Sequence, residues 1–190
     1  MAIVSNMLSL IHRRRLYTLL DELRPRLFRL AMSWTHSREV AEDLVQDCFT
    51  RAVEKISSVR DDTRLEIWVT RILSNLYLDQ VRRKTPAFID ADVDMLENSD
   101  PGPEQIAQQI EASSRIELAL QSLDTETQQV ITLVDIAGYR YSECADILDI
   151  PIGTVMSRVS RGREKLLKQI KQMELDRGTH QNVIHIRRSR

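Results

Sequence analysis

The chain has 190 residues, 27 Lys+Arg against 28 Asp+Glu and 42% hydrophobic residues, enough to bury a core in one domain or two small ones and too apolar for disorder throughout. Five Gly, five Pro and few aromatics, set among long Leu/Arg/Glu-rich stretches, exclude a turn-rich sheet protein and predict an all-α chain. No apolar run approaches the ~20 residues that span a bilayer, and Met1 to Arg15 carries its basic cluster after its apolar part, so a soluble cytoplasmic protein without membrane insertion is expected.

Leu16, Leu19, Leu20 and Leu23 recur at helical spacing, Pro25 interrupts, and Leu27, Phe28, Leu30, Ala31 and Trp34 begin a second stripe, which predicts two short helices. Ser37 is placed to cap a third, with Val40, Ala41, Leu44, Val45, Cys48, Phe49, Ala52, Val53 and Ile56 as a broad buried face. Thr63 and Glu66 have capping-box spacing, so a fourth helix is predicted from near residue 64 to Lys84, ending in Arg82, Arg83 and Lys84. Charge then changes sharply. Residues 1–84 carry 15 basic and 11 acidic residues, residues 85–114 none and seven, and residues 115–190 twelve and ten. With Pro86, Pro101, Gly102 and Pro103 in it, the acidic stretch reads as a linker between two basic domains.

Beyond the linker, apolar spacing from Ile106 to Leu123 predicts a helix or a pair of helices, and Thr125 with Gln128 a second capping box ahead of Val130, Ile131, Leu133 and Val134. Gly138 is suited to close that helix in a left-handed conformation. Residues 141–148 form a short helix, Asp149-Ile150-Pro151 a tight connection, and Ile152, Val155, Val159, Leu166 and Ile170 stripe the next helix. This is helix-turn-helix spacing. The second helix of the pair carries Arg158, Arg161, Arg163, Lys165, Lys168 and Lys171 against one acid, Glu164, a face suited to phosphate and to base edges in a major groove.

Three motifs in order resemble the bacterial RNA polymerase sigma factors of the extracytoplasmic-function group: Ala41-Glu42-Asp43-Leu44-Val45-Gln46-Asp47-Cys48-Phe49, Ile67-Trp68-Val69-Thr70-Arg71-Ile72 through Asn75 to Asp79-Gln80-Val81-Arg82-Arg83, and Ile150 to Val159 followed by Arg161, Arg163 and Glu164. The resemblance spans about residues 16–172. It implies two small helical domains: sigma region two over residues 16–85 and sigma region four, with its helix-turn-helix, over 112–172. An acidic linker (86–111), an N-terminal extension (1–15) and a basic tail (173–190) make up the rest.

What it implies for function follows residue by residue. Asp43, Gln46 and Asp47 dock on the coiled coil of the polymerase beta-prime subunit. Arg60, Arg64, Arg71, Asn75, Arg82, Arg83 and Lys84 meet the melted minus-ten strand. Thr154, Met156, Ser157, Arg158, Ser160, Arg161 and Lys165 meet the minus-thirty-five element, with Ser157, Arg158 and Arg161 as readers, Met156 against a thymine methyl and Thr154 near phosphate. Val59 and Thr70 stand where aromatics are common in the family, and Met156 and Ser160 where a basic residue and His or Phe are common. Trp68, in the apolar stripe, is expected in the core. The partners implied are core RNA polymerase (beta-prime and beta), promoter DNA and an anti-sigma factor, often membrane-bound in this family.

Catalysis is not expected. His12, His36, His180 and His185 lack metal-ligand spacing, and there is no phosphate-binding glycine loop and no nucleophile motif, so neither cofactor nor metal is predicted. Cys48 and Cys144, far apart and without Cys-x-x-Cys spacing, are expected as buried reduced thiols. The rival reading is a dimeric helix-turn-helix repressor or response-regulator output protein, which accounts for residues 115–172 but leaves 37–84 as an anonymous helical module.

Overall fold

The computed structural model describes residues 14–56, 59, 61–84 and 116–187. The linker at 86–111, Arg60 and most of the N-terminal extension lie outside the described residues. Helix α1 (14–22) buries Leu16 and Leu20, and α2 (Arg24–Thr35) carries Pro25 in its first turn, where a missing N–H costs nothing because first-turn donors have no intrahelical partner. Left-handed His36 (φ 52°) ends α2, and extended Ser37 accepts a hydrogen bond from the Val40 N–H to start α3 (Arg38–Lys55), as its sequence predicted. The predicted stripe of α3 is buried at Ala41, Leu44, Val45, Cys48, Ala52 and Ile56 and half-buried at Val40 and Phe49, but Val53, expected on the same face, is 43% exposed.

Helix α4 (Leu65–Lys84) has the predicted limits but a different cap. Asp61, not Thr63, is the cap: its carboxylate accepts from Thr63 N (3.0 Å) and Oγ1 (2.6 Å), which folds Asp62–Arg64 into a 3-10 turn ahead of the helix. Extended backbone at Asp61 leaves its short carboxylate facing donors two residues on, whereas Thr63 already lies inside the turn.

A short α5 (116–121) precedes α6 (Thr125–Ile131). Its cap is likewise one residue earlier than predicted: Asp124, not Thr125, accepts the Thr127 N–H at 2.9 Å. Burial would raise the Asp124 carboxyl, but the hydrogen bonds from Thr127 and from Lys165 outweigh it and hold the group below its ordinary value. The helix then widens into a single π turn, Thr132–Ile136, which nothing in the sequence signals. Gly138 (φ 75°) takes the predicted left-handed conformation. In α7 (Tyr141–Leu148) the Arg140 N–H donates to Glu143 Oε2 at 2.7 Å, and left-handed Asp149 (φ 54°) makes the turn into α8 (Ile152–Arg187). Helix α8 runs on past residue 172, where the basic tail was set off.

Helices α1–α4 and α5–α8 do not stand apart. One apolar cluster holds Leu27, Trp34, Val69 and Leu73 together with Leu133, Tyr139, Cys144 and Ile147. Buried polar groups pair across the same contact. Trp34 Nε1 donates to Thr132 Oγ1 (2.6 Å), Gln129 Nε2 to Ser74 Oγ (3.0 Å), and Thr70 Oγ1 meets Tyr139 OH at 2.9 Å. Both cysteines are buried and free, and burial pushes each thiol up to about 12.

A pH dependence follows from this contact. Gln128 Nε2 donates to the Ser33 carbonyl (2.9 Å) and lies 2.8 Å from His36 Nε2, so the second amide hydrogen makes that ring nitrogen an acceptor and the ring neutral. Burial lowers the His36 pKa, so its contribution is intact above the ordinary value of about 6.5 and is lost as pH falls below it toward the lowered value. The thermal midpoint of the wild type should therefore fall more between about pH 7 and pH 5 than that of His36→Asn, which tolerates the left-handed backbone. Parallel pH profiles would refute the assignment.

Candidate polymerase and promoter interfaces

Asp43, Gln46 and Asp47 are exposed on α3 while Leu44, Val45 and Cys48 between them are buried, so the helical period turns the three acceptors outward together. They stand at the edge of a cleft between α3 and α4, where Asp43, Asp47 and Arg51 face Asp79, Gln80 and Arg83 over a floor of Leu44 and Leu76. Acids and bases alternate along it, and Asp79 and Gln80 are members that the sequence reading missed. Both fall inside the second quoted motif, on the turn before Arg82 and Arg83.

The residues assigned to the minus-ten strand divide. Arg71, Asn75 and Arg82 are exposed along one edge of α4, spaced four and seven residues apart. Arg83 turns toward α3 and lines the cleft, Arg64 is exposed in the 3-10 turn, and Lys84 is the last residue of α4. Arg71 donates to the backbone carbonyl of Asp146 in α7, and Arg82 lies 4.0 Å from Asp79. Trp68 is half-buried and packs against the core, as expected from its stripe.

In the helix-turn-helix, Val155 and Val159 hold α8 against the core, and Met156, Ser157, Ser160 and Arg161 are exposed on its outer face. Met156 is 54% exposed, high for an unbranched apolar side chain. Thr154 is half-buried, with its N–H on the Pro151 carbonyl at 2.8 Å. Arg161 folds back on its own turn, Nε to Ser157 O at 3.2 Å and Nη2 to Ser157 Oγ at 3.4 Å, so the two assigned readers form one polar unit.

Arg158 behaves otherwise. Its side chain, 21% exposed, turns toward α6 and binds the Glu126 carboxylate. Lys165 reaches Asp124 Oδ2 at 3.5 Å, and Arg163 forms a two-pronged pair with Asp135, its Nε 3.1 Å from Oδ2. Charge on α8 is thus matched by acids of α6 and the π turn, a pairing between segments that no local spacing announces. Gly162, buried mid-helix between these pairs, brings α8 close to α6, and a glycine at an interior helix position was the one available hint.

A Sigma-70 region 2 model matches residues 19–86, and a Sigma-70, region 4 model matches residues 113–166. The chain is 37% identical over 144 residues to the ECF RNA polymerase sigma factor SigE of Mycolicibacterium smegmatis, which covers 74% of this chain and 56% of that relative. It is 30% identical over 165 residues to the ECF RNA polymerase sigma factor SigW of Bacillus subtilis, covering 82% of this chain and 88% of SigW. The chain belongs to the ECF RNA polymerase sigma factors.

The fold agrees with that membership. The sigma factor RpoE of Bartonella quintana, solved in complex with the anti-sigma factor NepR, matches with a TM-score of 0.65 and 28% identity, covering 82% of this chain and 96% of that one. In this sigma factor α1–α4 fall almost wholly within the region-two match and α6, α7 and the first half of α8 in the region-four match. Among the described residues no helix is long and apolar enough to cross a membrane, and no cluster of three metal-ligating side chains occurs.

Proposed function

We propose that this ECF sigma factor docks on core RNA polymerase through Asp43, Gln46 and Asp47, melts and holds the minus-ten strand with region two, and reads the minus-thirty-five element with region four. The observation that carries the reading is the outer face of α8, where Met156, Ser157, Ser160 and Arg161 are exposed over the first three turns that follow a tight left-handed corner. Arg71, Asn75 and Arg82 supply cations and a hydrogen-bonding edge for a single strand. Domain limits at 16–85, 86–111 and 112–172 are part of the proposal. An anti-sigma partner is inferred from the RpoE–NepR likeness.

Transcription in vitro with core polymerase tests it: initiation at discrete start sites that depends on this protein is expected, and binding to palindromic DNA as a dimer without polymerase would favour the repressor reading instead. Within region four, Arg161→Ala should relax selectivity at one base position, worth about 1–3 kcal/mol for a bidentate Arg–guanine contact. Lys168→Ala should lower affinity alike for all sequences or leave it unchanged. Arg158→Ala, removed from the outer face by Glu126, should leave base selectivity unaltered. Binding to a randomised upstream element measures all three. Uniform loss with Arg161→Ala would make that residue a phosphate contact.

A further inference from the structure

We propose that Ser157 is a positioning residue, which holds the Arg161 guanidinium by one edge so that the opposite edge faces a guanine of the minus-thirty-five element. The inference rests on the assignment of α8 to that element, and it makes Ser157 act through Arg161 rather than read a base itself.

The charges along α8 single out Arg161. Of the four cations from Arg158 to Lys165, Arg158 is held by Glu126, Arg163 by Asp135 and Lys165 by Asp124. Arg161, exposed on the outer face, pairs with no carboxylate among the described residues, and its partner is the uncharged Ser157 one turn back. A neutral partner leaves the full positive charge for an acceptor on DNA, whereas each of the other three has to give up a carboxylate first.

Only part of the guanidinium is engaged. Its five N–H groups lie in one plane, and the Nε hydrogen runs parallel to one hydrogen of the neighbouring Nη2. That edge is the one in use: Nε donates to the Ser157 carbonyl oxygen at 3.2 Å and Nη2 to Ser157 Oγ at 3.4 Å. The far edge, with one hydrogen from Nη1 and one from Nη2, has no partner among the described residues. It matches the O6 and N7 acceptors that guanine presents side by side in the major groove.

Ser157 is itself oriented. Its hydroxyl hydrogen goes to the Thr154 carbonyl at 3.0 Å, which turns the oxygen lone pairs toward Arg161. A hydroxyl whose proton is given to the backbone and whose oxygen takes Arg161 has no hydrogen to offer a base. What it supplies is order: a long, flexible side chain is set in one geometry before DNA arrives, which lowers the conformational cost of binding.

A double-mutant cycle tests this in the holoenzyme, the full-length chain with core polymerase, on a promoter library with a randomised upstream element. Ser157→Ala should reduce selectivity about fivefold, the equivalent of one hydrogen bond, at the same base position that Arg161→Ala affects. In the Arg161→Ala background it should add nothing. Ser157→Thr should keep wild-type selectivity, because a threonine hydroxyl reaches the same carbonyl three residues back in a helix. Arg161→Lys, which keeps the charge but lacks the fork, should lose both the selectivity and its response to Ser157→Ala. Alanine is a better helix former than serine, so an unchanged or higher thermal midpoint in Ser157→Ala separates lost orientation from lost structure.

Ser157→Ala acting at a different base, or with undiminished effect beside Arg161→Ala, makes Ser157 a reader in its own right and overturns the proposal. Wild-type selectivity in Ser157→Ala overturns it too, as do a Ser157→Thr variant that behaves like Ser157→Ala and a uniform loss of affinity with Arg161→Ala. Failure of the functional reading looks different: the wild-type holoenzyme then shows no preference anywhere in the upstream element, which removes that reading and this proposal together.

Discussion

Replacing both Asp43 and Asp47 with Lys should lower affinity for core polymerase by about 100-fold, roughly 3 kcal/mol, within the range for losing a charge-assisted contact at an interface. The two carboxylates are exposed and one turn apart on α3, at the mouth of the cleft whose far wall is Asp79, Gln80 and Arg83. A basic partner surface that meets two acceptors there would meet two ammonium groups instead, beside Arg51 and Arg83. The fold should survive, because the core contacts of α3 are made by Leu44, Val45 and Cys48 on its other side and exposed substitutions usually cost less than about 0.5 kcal/mol. Competition binding with labelled core polymerase measures the loss, and circular dichroism checks the fold. Unchanged affinity in a folded variant would remove α3 from the docking surface.

The second large effect is on stability. A Cβ built on Gly162 lies 2.7 Å from Ile131 Cγ1, 2.8 Å from Thr127 Cγ2 and 2.9 Å from Ile131 Cδ1, all closer than carbon atoms approach. Ile131 and Thr127 are β-branched and buried on α6, so both are stiff at χ1 and yield little. Helix propensity alone would favour Gly162→Ala by about 1 kcal/mol. Overpacking costs about 1–3 kcal/mol and should overturn that sign, with Gly162→Val worse than Gly162→Ala by a further increment of similar size. Gly153, in the first turn of the same helix with nothing within 4 Å of its Cβ position, supplies the contrast: Gly153→Ala should be neutral or stabilising. Urea unfolding of the three variants decides it. A more stable Gly162→Ala would mean that α6 and α8 do not meet as closely as described.

These two cases also mark what the sequence made legible. Periodicity exposed the helices because each buries one stripe: the α3 stripe from Ala41 to Ala52 and the α8 stripe at Val155 and Val159 are local patterns, readable without a partner. Left-handed Gly138 was legible for the same reason, since few residues tolerate that backbone. The caps, Asp61 and Asp124, lie two residues before Thr63 and one before Thr125, and sequence spacing does not say which oxygen points at the free N–H groups. The packing of region four on region two was not legible at all. Thr70, Ser74, Gln129 and Thr132 read as ordinary polar helix residues, and only pairing across a long sequence separation reveals why they are buried. Of the site residues, those on outer faces could be inferred from helical period, whereas the inward turn of Arg158 depended on Glu126, a residue in another helix.

The acid–base pairs along α8 bear on how region four responds to ionic strength. Six bases stand between Arg158 and Lys171, but Glu126, Asp135 and Asp124 already neutralise Arg158, Arg163 and Lys165, which leaves Arg161, Lys168 and Lys171 to displace cations condensed on DNA. Counterion release scales with the phosphates neutralised, so if region four binds DNA through this helix, the logarithmic dependence of its affinity on salt should have a slope of about −3 rather than about −5. Attraction that shallow would hold the proposed recognition helix weakly to DNA of arbitrary sequence, and would leave a larger share of its binding to base edges.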